Sequence, residues 1–309
     1  MTFAARGLLV SLAFFAVLYC SLSALIAMGW RVAAWARRGK RLAPSAGVFF
    51  ALRIFSFAIS SVVTVFFTFP SFWLMERPSL DEDAGTFVLA ACALVIVAAG
   101  VFRLLRDRSR TASAVEKWLL RPDGAAAKQV LSAGKGAPAL MLTGVLRPRV
   151  MISDAAASVL SEDELQVAIR HELGHRRSWD NMKRVLISAT PFPGMRGIET
   201  AWREAAELAA DDAAVENRQD ALDLAAALIK LSRSSKRWVE PALASGLVCG
   251  SSSIAVRVER LLEWRTAAQG LGRTWPWVGL VLVALGVAIA THYGATLALT
   301  HRLTELLVP

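Results

Sequence analysis

The chain contains few of the residues from which disulfide frameworks and multi-histidine sites are built. Its 309 residues include 3 cysteines, 4 histidines and 2 tyrosines. Cys20 and Cys92 fall in long apolar runs and Cys249 is isolated, so no disulfide framework is predicted, as expected for a reducing compartment. Four histidines also limit how many imidazoles one site can combine.

An excess of positive charge is present, but it does not indicate nucleic-acid binding. The net charge is +10, whereas the segment 106–273 holds 25 basic and 20 acidic residues and so carries only +5. Most of the remaining excess flanks apolar runs, where anionic lipid is the expected partner. Direct nucleic-acid contact is therefore not expected.

Long apolar runs are abundant, and 55% of the residues are hydrophobic. Four stretches are long enough to span a bilayer, at 8–28, 48–69, 86–102 and 277–299. The first is longer than a signal-peptide core and lacks a clear cleavage site, so we expect it to be retained. Arg53 interrupts the second, where we expect it to snorkel to the headgroups; a buried functional arginine is the alternative.

Charge asymmetry between the loops orients these spans. The loop after the first span holds five basic residues and no acid, whereas the loop after the second holds four acids against Arg77. By the positive-inside rule, we expect a multi-pass protein of a bacterial-type inner (plasma) membrane with both termini extracytoplasmic. The predicted organisation is three transmembrane helices in 1–105, a cytoplasmic domain in 106–274, and a fourth helix with a short tail in 275–309.

The most specific motif lies in the predicted cytoplasmic domain. Residues 171–175 read His-Glu-Leu-Gly-His, which is an H-E-x-x-H zinc motif. On a helix His171 and His175 share one face and can bind one metal ion, and Glu172 can act as general base on a water. Ser161 and Glu164 upstream fit a capping box, which predicts that this helix begins near Ser161.

A third metal ligand must come from elsewhere in the chain. The other histidines, His292 and His301, lie far along it in or beyond an apolar run, so a carboxylate is expected. Residues 202–212 predict a second helix, on which Glu207 could bind the metal while Asp211 accepts the N–H of a ligating imidazole. Spacing alone does not decide between Glu207 and Glu204.

Several motifs in a fixed order carry a family resemblance over about 138–264. They are Gly-Val-Leu-Arg-Pro-Arg-Val at 144–150, Leu-Ser-Glu-Asp-Glu-Leu at 160–165, the 171–175 motif, Asp180, Glu-Leu-Ala-Ala-Asp at 207–211 and Arg-Val-Glu-Arg-Leu-Leu at 257–262. The chain thus resembles the integral-membrane zinc metallopeptidases of the β-lactam sensor/signal-transducer family, of gluzincin type. The resemblance implies that Glu207 is the third ligand of Zn2+.

The fold class expected from these features is a mainly α membrane protein. Four transmembrane helices would carry an α+β zincin-like metallopeptidase domain between the third and the fourth. Residues Ala139, Leu140, Met141, Leu142 and Thr143 form a candidate edge strand for an extended substrate, although a plain structural hairpin with 149–153 is an equal alternative.

An oxyanion-stabilising group is harder to assign from the residues. Tyr19 and Tyr293 lie in predicted spans and no spare histidine lies in the cytoplasmic domain, so an arginine is the remaining type. Arg257 is the candidate, and its alternative role is an ion pair with Glu259 or Glu263.

The resemblance implies a zinc metalloendopeptidase that cuts a cytoplasmic or membrane-proximal protein, such as a transcriptional repressor, in signal transduction. Antibiotic-sensing members carry a large extracellular penicillin-binding domain after the last helix; about ten residues follow here, so we do not expect β-lactam binding. Two alternatives stay open: a housekeeping quality-control protease and a non-catalytic membrane scaffold. Heat-shock proteases place further spans between the two motifs, whereas His175 and Glu207 are only 32 positions apart, and the intact ligand set argues against a decayed site.

Overall fold

Long apolar helices dominate the first part of the chain. The computed structural model describes residues 2–36, 45–75, 84–118, 130–133, 137–234, 245–246, 251–264 and 291–307. Within these ranges three helices are long and apolar enough to cross a membrane, namely Phe3–Ala36, Ala46–Met75 and Ala84–Trp118. They include the first three predicted spans and extend beyond them at both ends. Most of the fourth predicted span, 277–299, lies outside the described residues.

The three helices pack side by side through small and aromatic residues. The first is α1 (Phe3–Ala36); the second consists of α2 (Ala46–Val63), a π-helical turn (Thr64–Thr68) and α3 (Phe69–Met75); the third is α4 (Ala84–Trp118). Phe14 of α1 and Phe72 of α3 are buried in one shared cluster. Because no proline or glycine interrupts residues 101–118, α4 continues through the predicted domain boundary at 105/106.

Arg53 contradicts the snorkelling prediction. Its side chain is fully buried, and its Nε lies 2.9 Å from Oε1 of Glu199. Its Nη2 donates to the carbonyl oxygens of Thr190 at 2.6 Å and Ile187 at 3.2 Å. The prediction is wrong because the domain that follows α4 covers this end of α2 and supplies the acceptors that solvent or headgroups would otherwise provide.

A small mixed sheet follows the spans. It contains β1 (Val130–Ala133), β2 (Leu140–Thr143), β3 (Arg149–Ser153) and β4 (Ser245–Gly246), in the order β1-β3-β2-β4. β2 and β3 are antiparallel, as the predicted hairpin requires, and β1 is parallel to β3. Gly144 adopts a φ of 94°, which an L side chain rarely takes, and so allows the turn after β2.

Helices cover this sheet and connect it to the spans. They are α5 (Asp154–Val159), α6 (Glu162–Arg177), α7 (Asp180–Ala189), α8 (Arg196–Ala214), α9 (Arg218–Ser234) and α10 (Ser251–Leu262). Val167 and Ala168 of α6 form one core with Leu224 and Leu228 of α9. A second core, which includes Ile187, Met195, Ile198, Trp202 and Phe49, joins α7 and α8 to α2.

The last described helix lies against the far end of the second span. This helix, α11 (Tyr293–Leu307), packs on α3, and the hydroxyl of Tyr293 donates to the carbonyl oxygen of Phe66 at 2.8 Å. The helix continues to Leu307, so residues predicted as a short tail after 299 are helical. α11 therefore lies at the end of the spans opposite the domain that contains α6 and α8.

Candidate metal centre

The motif helix α6 begins with the predicted capping box. Ser161 Oγ accepts the backbone N–H of Glu164, and the Glu164 carboxylate accepts the backbone N–H of Ser161 at 2.9 Å. The helix then turns one face inward, so that His171, Glu172 and His175 are each at most 1% exposed. Imidazoles and a carboxylate are costly to bury without partners, which indicates that this face belongs to a site rather than to a hydrophobic core.

α8 crosses α6 at close range and brings in the third donor. A Cβ added at Gly174 would lie 3.3 Å from Cα of Ala210 and 3.4 Å from Cβ of Ala213, which is tighter than ordinary packing. The glycine of the motif therefore permits the two backbones to approach. As a result, Glu207 is buried against the two histidines, whereas Glu204 is exposed.

The three side chains have the spacing of a tetrahedral metal site. His171, His175 and Glu207 offer ligand atoms that all lie within 4.8 Å of one another. Oε2 of Glu207 is 3.6 Å from Nε2 of His171, and its Oε1 is 3.5 Å from Nε2 of His175. Ligands about 2.1 Å from a tetrahedral zinc ion lie about 3.4 Å apart. These residues therefore fit zinc closely.

Each imidazole is oriented by a carboxylate on its other nitrogen. Nδ1 of His171 lies 2.9 Å from Oδ1 of Asp211, and Nδ1 of His175 lies 2.7 Å from Oδ2 of Asp180. In a metal-bound state with a proton on each Nδ1, the Nε2 lone pairs would be free to bind the ion, and neither buried Nε2 has a hydrogen-bond partner. Carboxylate–histidine pairs of this kind are typical of metal centres.

Asp180 belongs to the family pattern in the sequence, but that pattern alone assigns it no role. It is the first residue of α7 and follows Trp179, which adopts a left-handed φ of 55°. This sharp turn after α6 brings the Asp180 carboxylate back to His175. In the sequence, Asp180 is an acid five positions after His175. Helical spacing does not predict their contact, because a turn separates the two residues.

Arg257 contacts Glu207 and Asp211, the two buried acids of α8. It is buried on α10 and binds Asp211 through Nε at 2.8 Å and Nη2 at 2.6 Å, while Nη1 binds Oε2 of Glu207 at 2.9 Å. The described contacts thus direct the guanidinium at the acids of α8. This arrangement favours a role in holding those acids in place over the oxyanion role predicted from the sequence.

The electrostatics of the site favour a positive charge between the imidazoles. Burial alone would lower the pKa of His175, but Glu207 and Asp180 raise it to about 10. Burial likewise opposes ionisation of both α8 acids, yet the two histidines and Arg257 hold the pKa of Glu207 well below its ordinary value, and Arg257 and His171 lower the pKa of Asp211. Both acids are therefore ionised near neutral pH, as metal binding requires.

A comparison with models of protein families shows to which family the chain belongs. Residues 86–261, more than half of the chain, match the family model described as BlaR1 peptidase M56. The chain belongs to the M56 peptidase family. No curated protein matches the sequence.

Membership of the M56 family agrees with the site and with the spans. The family consists of peptidases that are generally zinc metallopeptidases, and the His-His-Glu cluster of this chain indicates a metal. The three long apolar helices indicate a membrane protein. This M56 member is therefore a membrane-associated metallopeptidase, and the family suspected from the sequence motifs is confirmed.

Other acids of this region and the remaining histidines lie apart from the M56 site. Asp212 pairs with Arg260 at 2.7 Å at the surface, and Glu216 is exposed. His301 lies on α11, where it contacts Glu305 at 3.5 Å. Neither it nor His292 belongs to the metal-ligand cluster found among the described residues.

The candidate substrate strand is not at an edge of the sheet. Residues 140–143 form β2, which lies between β3 and β4; Met141 and Leu142 pair with Gly246 and Ser245 of β4. Asn181 Nδ2 also donates to the carbonyl oxygens of Leu142 and Gly144. The prediction of an edge strand at Ala139 to Thr143 is wrong, because a segment about 100 residues further along the chain supplies a neighbour for it.

Proposed function

We propose that this M56 member is a zinc metalloendopeptidase of a cytoplasmic membrane that cleaves a protein regulator, such as a transcriptional repressor, in signal transduction. The observation that carries the proposal is the buried cluster of His171, His175 and Glu207, with Glu172 beside it and a carboxylate behind each imidazole. A scaffold without activity has no need of such a cluster, because each buried charge in it costs free energy.

Each residue of the site has a distinct role in the proposed hydrolysis. His171, His175 and Glu207 would hold zinc, which when bound acidifies water and polarises a peptide carbonyl. Glu172, on the same buried face, takes a proton from the attacking water and passes it to the amine nitrogen of the leaving fragment. Asp211 and Asp180 keep the protons of the imidazoles on Nδ1.

Arg257 supports this arrangement from behind. Its guanidinium lies between the carboxylates of Glu207 and Asp211 and offsets their mutual repulsion. Because it holds both a ligand and the orienting partner of His171, it is a positioning residue.

The location of the site relative to the membrane supports the cytoplasmic assignment. Arg31 of α1 and Arg103 and Arg106 of α4 line one cavity with the loop between α7 and α8, and Phe49 near the start of α2 packs on α8. These basic residues therefore lie at the end of the spans that meets the sheet and α5–α10, here called the M56 domain. Phe3 and Trp73, at the opposite ends of the first two spans, are in ring contact with each other. Together with the place of α11 against α3, this supports four crossings with both termini outside and the M56 domain inside.

A comparison of wild type with Glu172→Gln in native membranes tests the proposal. Zinc content is measured on the purified full chain, and new protein N-termini are measured by mass spectrometry of whole cells. We expect zinc in both proteins and a set of new N-termini in cytoplasmic or membrane-proximal proteins that disappears only with Glu172→Gln. Glu204→Gln, a change of the exposed glutamate on α8, is the matched control and should keep that set.

Two results would contradict the proposal. Wild-type protein that contains no zinc after purification without chelators would exclude the proposed ligand role of the three residues. Identical N-termini in the wild type and Glu172→Gln, under conditions where the protein is present and loaded with zinc, would favour the scaffold alternative.

A further inference from the structure

A basic cavity lies where the membrane helices meet the M56 domain. Its volume is about 1020 Å3, and its walls come from the end of α1, from α4 and from the loop between α7 and α8. Its lining includes two tryptophans and four arginines: Trp30, Trp35, Arg31, Arg103, Arg106 and Arg196. It is separate from the metal centre, none of whose residues line it.

The charge of this cavity is positive and largely uncompensated. Among the described residues, Glu199 is the one acid that lines it, and that carboxylate already binds Arg53 at 2.9 Å. Arg106 contacts Asp107 at 3.4 Å. In the part of the chain that the structure describes, Arg31, Arg103 and Arg196 form no ion pair. Three guanidinium groups that line one cavity without an ion pair repel one another, and an anionic ligand would relieve this repulsion.

The backbone around the cavity also favours an anionic ligand. The 19-residue helix α8 begins at Arg196, so the unpaired amides and positive dipole end of its first turn lie in the cavity wall. A Cβ at Gly197 would lie 2.6 Å from Nε1 of Trp30, so only glycine lets the indole pack against this turn. The helix start and the arginines therefore favour the same type of ligand.

The position of the cavity along the spans identifies the source of that ligand. The predicted apolar run of α1 ends at residue 28, two residues before Trp30, and that of α4 ends at residue 102, one residue before Arg103. Trp35 is 69% exposed, as interfacial tryptophans are. Lipid headgroups lie at this depth, and basic pockets between membrane helices bind them.

We infer that this cavity binds the phosphate of an anionic phospholipid headgroup. Arginine matches phosphate because its planar guanidinium donates two parallel hydrogen bonds. The volume exceeds that of a single phosphate ion and accommodates a headgroup with its glycerol. The cavity wall includes the loop that links α7, which carries Asp180, to α8, which carries Glu207, so a bound headgroup would stabilise the elements that build the metal centre.

The test measures lipid retention by the purified full-length protein. The protein is reconstituted in nanodiscs of equimolar phosphatidylglycerol and phosphatidylcholine, extracted gently, and the lipids that remain bound are counted by native mass spectrometry. We expect phosphatidylglycerol to be retained preferentially. The triple variant Arg31→Gln, Arg103→Gln and Arg196→Gln should weaken this retention by about 10- to 100-fold, given the usual contribution of each basic residue near a membrane surface.

Two matched variants separate a specific site from general charge. Arg110→Gln, Arg203→Gln and Arg218→Gln remove the same charge from exposed positions outside the cavity and should retain the lipid as wild type does. Arg31→Lys, Arg103→Lys and Arg196→Lys keep the charge and should retain it within a few-fold. A circular dichroism spectrum and zinc content equal to those of wild type show that the glutamine variant is folded.

Three outcomes would overturn the inference. Equal retention of the two lipids by wild type excludes headgroup recognition, and unchanged retention by the folded glutamine triple excludes this cavity as the site. Displacement of phosphatidylglycerol by millimolar inorganic phosphate identifies a soluble phosphate as the ligand instead of a lipid. None of these outcomes depends on peptidase activity, so the inference and the proposed function can fail separately.

Discussion

Nε of Arg53 lies 2.9 Å from Oε1 of Glu199, which joins the second membrane helix to the helix that carries Glu207. The same guanidinium donates hydrogen bonds to carbonyl oxygens at the C-terminal end of α7, whose N-terminal end supplies Asp180 to the metal centre. The negative end of that helix dipole also favours a cation there. One buried arginine in a membrane helix is thus connected, through α7 and α8, to both Asp180 and Glu207 of the candidate metal centre.

Arg53→Met should destabilise the protein strongly. It leaves Glu199 and the carbonyl oxygens of α7 without their partner, and loss of one member of a buried pair costs about 3–5 kcal/mol. We expect a lower Tm in detergent, with partial recovery in the double variant Arg53→Met and Glu199→Met, because the unpaired charge is then gone. Arg108→Met, at an exposed position of α4, is the control. An equal Tm for wild type and Arg53→Met would show that the contact is energetically neutral.

Asp180→Asn should weaken zinc binding by about 10- to 100-fold, because the amide holds His175 less firmly with its Nε2 toward the metal. Competition with a chromogenic chelator measures this change. Asp212→Asn removes an exposed carboxylate from the surface of α8 and should leave the affinity unchanged. If Asp180→Asn binds zinc as tightly as wild type, the orientation of His175 does not depend on that carboxylate.

Gly174→Val should reduce both stability and zinc content, because a branched side chain cannot fit against Ala210 and Ala213. Gly174→Ala should have a smaller effect, since a helical alanine gains about 1 kcal/mol over glycine and offsets part of the crowding. Tm and zinc content are measured together. Gly29→Ala on α1 is the control, because the structure places nothing within 4 Å of its new Cβ. Full zinc content in Gly174→Val would refute the close-approach explanation.

Glu164→Gln should destabilise the protein in a pH-dependent way. Although burial opposes ionisation, Lys230 and Ser161 hold the pKa of Glu164 below its ordinary value of 4.5. The ionised carboxylate therefore stabilises the folded state above pH 4.5, and this stabilisation is lost as the pH falls through the lowered pKa. We expect Glu164→Gln to cost about 1 kcal/mol at pH 7, where the capping box and the ion pair are intact.

The measurement is Tm in detergent at pH 7 and at successively lower pH. The difference between wild type and Glu164→Gln should shrink as the pH falls below 4.5. Glu162→Gln, at an exposed position in the same first turn, should change Tm less at every pH. A difference that is constant with pH would show that the charge of Glu164 does not contribute.

The sequence by itself determined the features that depend on neighbours along the chain. Four-residue spacing places His171 and His175 on one helical face, Ser161 and Glu164 start that helix, and long apolar runs predict the first three spans. In each case the interacting groups lie within a few residues of one another. The periodicity of the local sequence therefore specifies the helical face, the helix start and the spans without any contact between distant segments.

Only the tertiary structure decided which of these faces meet. α8 could present either Glu204 or Glu207, and the close approach at Gly174 brings Glu207 inward. Arg53 binds Glu199, which lies 146 positions away, and Arg257 binds Asp211 and Glu207, which lie 46 and 50 positions away. Hydrophobic periodicity predicts which face of a helix is buried. It does not predict which other helix covers that face, because this depends on how whole helices pack against one another.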